Sequence, residues 1–150
     1  MDKQLTIYFT SDLHSYIYPT DYRSPGERDL GLFKCANRFR KDGSTLVIDG
    51  GDLLQGSPLG AYCHDTIGSA AQFGEMMNCC GYDYVTLGNH DFNFGMPYLE
   101  SYLDALDGCC VCENVRWDEA GTRFPARIHT LENGLRIGVV GIVTDYVNIW

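Results

Sequence analysis

Apolar and polar positions alternate along Leu5-Thr6-Ile7-Tyr8-Phe9-Thr10, with Leu5, Ile7 and Phe9 on one side, which is the period of a β-strand. Thr45-Leu46-Val47-Ile48-Asp49 is a nearly continuous apolar run, the kind a parallel strand makes when both faces are covered. Between them, Leu32, Cys35, Ala36 and Phe39 recur at helical spacing, and Gly43 closes the segment. Residues 15–28, with Pro19, Pro25, Gly26 and mixed charges, read as a loop over the sheet edge. The pattern then repeats. A turn at Gly50-Gly51 and a loop through Gly60 lead to a helix face of Ala70, Phe73, Gly74 and Met77, stopped by Gly81. Tyr84 to Leu87 is a third strand, and Gly88 opens its turn. Pro97 suits the first turn of a helix whose stripe is Leu99, Tyr102, Leu103 and Leu106, ending at Gly108. Cys109 to Cys112 reads as a fourth strand.

From Arg127 the pattern changes. Two strand-like runs, Arg127 to Leu131 and Leu135 to Val143, flank Glu132-Asn133-Gly134, and an Asn-Gly step between such runs signals a hairpin. Strand–helix alternation followed by a hairpin predicts an α/β fold with a second sheet beginning near residue 127.

Composition narrows the function classes. At 150 residues, 45% of them hydrophobic and 13% aromatic, the chain fits one domain with a real core. Its formal charge of −9 argues against a nucleic-acid polymer or an anionic membrane as partner. An acidic protein that handles phosphate needs cations to do so. No run approaches the roughly 18 apolar residues of a membrane span. Met1-Asp2-Lys3-Gln4 leads straight into a strand without the apolar core of a signal peptide, so the chain as written is expected to be cytoplasmic. The seven cysteines, two sets of them vicinal, read as buried free thiols. Cys109-Cys110-Val111-Cys112 does not make a thiolate metal site, because alternation splits Cys109 from Cys110 and Cys112.

The candidate chemistry sits directly after the strands, in Asp12-Leu13-His14, Gly51-Asp52 and Gly88-Asn89-His90-Asp91. Each alone is ordinary turn chemistry. If the strands are parallel neighbours, however, all of them gather at one sheet edge, where open α/β folds bind ligands. Asp12 and His14, two residues apart in extended backbone, would point to one side. The Asp52 carboxylate has two oxygens and could bridge two cations. Asn89 offers a neutral carbonyl oxygen, His90 an imidazole, and Asp91 a carboxylate placed to hold that imidazole oriented. Oxygen and nitrogen donors without thiolate favour Mn²⁺, Fe, Zn²⁺ or Mg²⁺.

In order and spacing, Asp12-x-His14, Gly51-Asp52-x-x-x-Gly56 and Gly88-Asn89-His90-Asp91 resemble the signature of the calcineurin-like metallophosphoesterases. Within them the chain is similar to the bacterial 5′-nucleotidase and 2′,3′-cyclic-nucleotide 2′-phosphodiesterase/3′-nucleotidase group. Thr10 to Ser15, Gly51 to Leu59, Leu87 to Gly95, Glu113-Asn114-Val115 and Ile137 to Gly141 carry the likeness. The resemblance implies the first half of a four-layer α-β-β-α sandwich, a βαβαβ unit followed by a hairpin of the second sheet. It implies a metal-dependent phosphoesterase acting on nucleotides or cyclic nucleotides. Asp12 and His14 would bind the first metal, Asp52 would bridge both, and Asn89 would bind the second. His90 would face the phosphate and assist the leaving oxygen with Asp91 as its partner, and Asn114 would support the site or the substrate.

The family completes its metal pair with later histidines, including a Gly-His-x-His motif, and this chain has four histidines in all. His64 and His129 match no such motif and read as solvated or packed. Residues 1–150 are therefore expected to form an incomplete catalytic domain, without its C-terminal half or the nucleotide-gripping domain, and the chain stops abruptly at the apolar Ile149-Trp150. Such a chain holds at most one metal weakly and has little activity alone. The alternative is a non-catalytic metal- or nucleotide-binding module. An unfinished core also predicts a homo-oligomer that covers it. Full-length relatives are often exported.

Overall fold

The computed structural model describes residues 3–118 and 121–148. Four parallel strands form the main sheet in sequence order: β1 (Thr6–Thr10), β2 (Thr45–Asp49), β3 (Tyr84–Val85) and β4 (Cys109–Cys110). Thr10 pairs with Asp49, Asp49 with Val85, and Val85 with Cys110, so all four strands end on one line. The loops that follow, from Ser11, Gly50, Thr86 and Val111, share that edge.

The crossovers carry α1 (Leu32–Ala36), α2 (Pro58–Tyr62), α3 (Ala71–Cys80) and α4 (Met96–Ala105). They cover one face, where Val47 and Val85 meet Leu32, Phe73, Met77, Leu99 and Tyr102 in one buried cluster. Burying each of these large side chains contributes about 1.5–3 kcal/mol. Strand alternation sends Leu46, Tyr84 and Val111 to the other face, against Leu131 and Val139. Those last two flank the antiparallel hairpin of β7 (Arg127–Thr130) and β8 (Arg136–Val139), the second sheet predicted from Asn133-Gly134. A small antiparallel pair, β5 (Arg116–Asp118) and β6 (Gly121–Thr122), precedes it. The described residues thus make three layers, α-β-β.

The elements follow their sequence signals with several differences: β3 stops at Val85 instead of Leu87, and β8 ends at Val139 instead of Val143. Helix α1 is shorter than its stripe, yet Phe39 beyond it still reaches the core, 5.1 Å from the Tyr8 ring. β4 ends at Cys110 because the Cys112 N–H turns away to the Phe124 carbonyl. The segment read as loop through Gly60 contains α2, running into a π-turn at Cys63–Ile67. Ser57 caps α2 by accepting the Gly60 N–H, and Pro58 occupies its first turn.

On the edge strand β1, Ile7 and Phe9 stay 49% and 63% exposed, although Leu5 just before it packs on the hairpin side of the sheet. Among the described residues, no helix is long and apolar enough to cross a membrane.

Candidate metal centre

Two loops at the strand ends are laced together. The Asp12, His14 and Ser15 N–H groups donate to the carbonyls of Gly51, Asp52 and Leu53, and Ser57 N–H donates to His14 O. The lacing forces unusual backbone. Asp12, His14, Ser15 and Asp52 all lie at positive φ, 45° to 60°. Such conformations cost on the order of 1 kcal/mol or more each and persist only where neighbours over-determine them. Three of these strained residues, Asp12, His14 and Asp52, are among the four predicted ligands. Gly56, at φ 145°, lies against the histidine: a Cβ there would sit 2.6 Å from His14 Cβ. Gly88 packs directly on the Asp52 carboxylate, where any Cβ would collide with it.

This backbone brings Asp12, His14 and Asp52 together, each offering a ligand atom, with all of these atoms within 4.8 Å of one another. The His14 ring is oriented by its own hydrogen bond. Nδ1 lies 2.7 Å from the Gln55 carbonyl, an acceptor, so the proton sits on Nδ1 and the lone pair on Nε2. That Nε2 is 4.0 Å from Asp12 Oδ1. Ser11 Oγ donates to the other Asp12 oxygen. Two carboxylates and a tautomer-fixed imidazole, converging at a half-exposed edge with no basic side chain in the cluster, fit a divalent cation. Asn89 opens a 3₁₀ turn (Asn89–Phe92) directly after Gly88, the residue that packs on Asp52.

His90 is adjacent, its ring edge-on to His14 with centroids 5.4 Å apart. The His90 backbone N–H donates to Asp52 Oδ1 at 2.8 Å, and its ring Nδ1 lies 3.0 Å from both Gln55 Oε1 and Asn93 Nδ2. Asp91 is committed to backbone donors. Fully buried, it accepts four backbone N–H groups: Asp52 and Gly88 on Oδ2, Leu53 and Leu54 on Oδ1, each at 2.9 Å. A carboxylate so committed serves the loop that carries Asp52. Burial pushes the Asp91 carboxyl up, and these donors pull it back. Asn114 also spends its amide on backbone, donating to Val143 O at 2.6 Å and accepting Val143 N–H at 3.0 Å. It lines a cavity of about 750 Å³ with Phe92, Met96, Glu100 and Arg116.

His64 and His129 stand outside the cluster. His64 stacks on Phe94 at 4.1 Å and pairs with Asp65, and His129 Nδ1 lies 3.0 Å from the Tyr84 hydroxyl on the opposite sheet face. All seven cysteines are free as expected, but only Cys63 and Cys112 are buried, and Cys35 and Cys79 are exposed. Three polar residues near the centre were not singled out by sequence. Gln55 and Asn93 gave no signal beyond nearness to the motifs. Asp49, the last residue of β2, is buried, and burial pushes its carboxyl up to about 7 while Thr10 Oγ and Gly51 N–H donate to it.

A parallel sheet whose strand ends carry a carboxylate–imidazole cluster is the architecture of a candidate metal-binding α/β protein. The chain belongs to the calcineurin-like phosphoesterase family, which it matches over residues 5–147. It is 34% identical, over 97% of its length, to the trifunctional nucleotide phosphoesterase protein YfkN of Bacillus subtilis, and 28% identical over 99% to the 2′,3′-cyclic-nucleotide 2′-phosphodiesterase/3′-nucleotidase of Haemophilus influenzae. A Staphylococcus aureus structure assigned as a 5′-nucleotidase, in complex with α-ketoglutarate, superposes with a TM-score of 0.84 at 32% identity, covering 96% of this chain and 29% of that one. The chain spans 11% and 25% of the two curated relatives' lengths. Calcineurin-like phosphoesterases bind divalent metals, and the Asp12–His14–Asp52 cluster is a candidate site for one.

Proposed function

We propose that this chain carries the first half of a two-metal centre for hydrolysing phosphate esters of nucleotides or 2′,3′-cyclic nucleotides. The observation behind it is the convergence of Asp12, His14 and Asp52 within 4.8 Å, with His90 edge-on to His14. Asp12, His14 and Asp52 would hold a first cation, and Asp52 with Asn89 would help to hold a second. Held there, Mn²⁺, Fe, Zn²⁺ or Mg²⁺ would supply charge neutralisation on the phosphoryl oxygens and activation of the attacking water. His90, whose backbone N–H donates to Asp52 Oδ1, would face the phosphate and, as the imidazolium, pass its Nε2 proton to the leaving oxygen. Asp91 fixes the backbone on which Asp52 stands, and Asn114 ties the neighbouring wall to Val143.

Residues 1–150 hold only part of the ligand set, so the chain alone binds one cation weakly and turns over slowly. Calorimetric Mn²⁺ titration tests the site, with binding expected in the wild type and lost in Asp52→Asn. A bis-aryl phosphate tests the incompleteness: little hydrolysis is expected, and robust turnover abolished by Asp52→Asn would sink it. The three-donor cluster also suits a non-catalytic module, which nucleotide binding without turnover by the full-length protein would select. The exposed Ile7, Phe9, Ile128, Val140 and Ile142 support self-association that covers the open face, and a clean monomer in size-exclusion chromatography would remove it.

A further inference from the structure

We infer that Gln55 is a positioning residue that aligns both imidazoles of the centre, holding His14 through its main chain and His90 through its side chain. This deepens the phosphoesterase reading and rests on it for the role of His90.

Gln55 lies between the two rings. Its carbonyl oxygen accepts from His14 Nδ1 at 2.7 Å. Its side-chain Oε1 lies 3.0 Å from His90 Nδ1 and 2.7 Å from Asn93 Nδ2. Oε1 is an acceptor with two lone pairs, and the two nitrogens converge on it as donors. His90 therefore carries its proton on Nδ1, which makes Nε2 the position where a proton is exchanged with the reacting oxygen. Asn93 Nδ2 and His90 Nδ1, themselves 3.0 Å apart, are then two donors sharing one acceptor.

The local fold explains why one residue reaches both rings. The lacing of residues 12–15 onto 51–53 brings His14 under the Gln55 carbonyl, and the Asp91 bonds to Asp52, Leu53 and Leu54 bring the turn that carries His90 to the same loop. Gly56 follows at φ 145°, turning the chain away against the His14 side chain. A displacement of Gln55 therefore moves the metal-side imidazole and the proton-transferring one together. Gln55 and Asn93 are neutral amides, so their contacts with His90 Nδ1 add no charge beside the carboxylates of Asp12 and Asp52.

The test is the tautomer of each ring, read from long-range ¹H–¹⁵N correlation spectra of the metal-free full chain at a pH where the imidazoles are neutral, with His90 assigned through His90→Gln. Both His14 and His90 should show the Nδ1–H pattern. In Gln55→Met, which keeps the length and the carbonyl, His14 should stay as it is. His90 should shift toward Nε2–H by roughly tenfold in population, the worth of one hydrogen bond. In Asn93→Ala, His90 should remain Nδ1–H. A wild-type His90 in the Nε2–H form, which the opposite orientation of the Gln55 amide requires, overturns the proposal even if Gln55→Met fails to fold. So does an unchanged His90 in Gln55→Met, or a switch caused by Asn93→Ala instead. Mn²⁺ titration of the wild type separates the two readings: absent binding refutes the phosphoesterase centre and leaves the tautomers standing, whereas wrong tautomers with intact binding refute Gln55 alone.

Discussion

Asp91 holds Asp52 across 39 residues of sequence: its Oδ2 accepts the Asp52 N–H at 2.9 Å, while its Oδ1 accepts the N–H groups of the next two residues. The bridge runs between the loops after β2 and β3, which enter the edge from neighbouring strands. Asp52, at φ 57°, is kept in strained backbone by this carboxylate from one side and by His14 N–H on its own carbonyl from the other. The family's most recognisable tetrad, Gly-Asn-His-Asp, thus ends in a residue whose observed bonds build the site.

Asp91→Asn should accordingly act on stability. An amide in place of the carboxylate turns an NH₂ against two of the four backbone donors, leaving buried groups unpaired. The expected loss is about 3 kcal/mol, visible as a lower urea midpoint with an unchanged m-value. An unchanged midpoint would show that the four bonds contribute nothing net.

Asp49 predicts a pH dependence with a definite sign. Its folded carboxyl is pushed up to about 7 by burial, from an ordinary value of 3.8. Between those values the folded chain holds a proton that the unfolded chain has released, so stability falls as pH rises from about 4 to about 7 and then levels. The full effect is on the order of 4 kcal/mol. Urea titrations of the metal-free chain across that window should show the decline, and Asp49→Asn should flatten it.

Much of the fold was legible because it depends on local pattern. Thr45–Asp49 forms over its whole apolar run, α3 stops at Gly81 in the left-handed conformation, Pro97 opens α4, and Asn133-Gly134 turns the hairpin. Ser57-Pro58 was also a readable helix start, hidden by reading Gly56 to Gly60 as loop. The assembly of Asp12, His14 and Asp52 could be expected from motif order. The positive φ of those residues could not, because it comes from lacing between loops some 40 positions apart. The same holds for Gln55 and Asn93, whose meeting with His90 depends on tertiary closure, and for the four backbone bonds of Asp91, which reach residues up to 39 positions away.

Cation binding should show in stability as well as in calorimetry. A ligand bound only by the folded chain, at about 100 times its dissociation constant, adds about 2.7 kcal/mol. Saturating Mn²⁺ should then raise Tm by several degrees, with EDTA reversing the gain. Asp52→Asn should remove the metal-dependent part. A Tm indifferent to Mn²⁺ in the wild type would count against the Asp12–His14–Asp52 site.

Gly56→Ala gives the sharpest separation between building the site and filling it. The new methyl would stand 2.6 Å from His14 Cβ, well inside van der Waals contact, at a φ of 145° that L-residues avoid. Both costs fall on the loop that carries His14 and Gln55, and neither touches the buried cluster under α3 and α4. The fold should therefore survive with a loss of about 1–3 kcal/mol. His14 should be displaced from Asp12 and Asp52, and Mn²⁺ affinity should fall by at least about tenfold, as for changes that disturb ligand orientation. A variant that loses stability yet binds Mn²⁺ as the wild type does would show that His14 is not a ligand. One that keeps both would show that the loop yields easily, and that its strained backbone is not what holds the centre together.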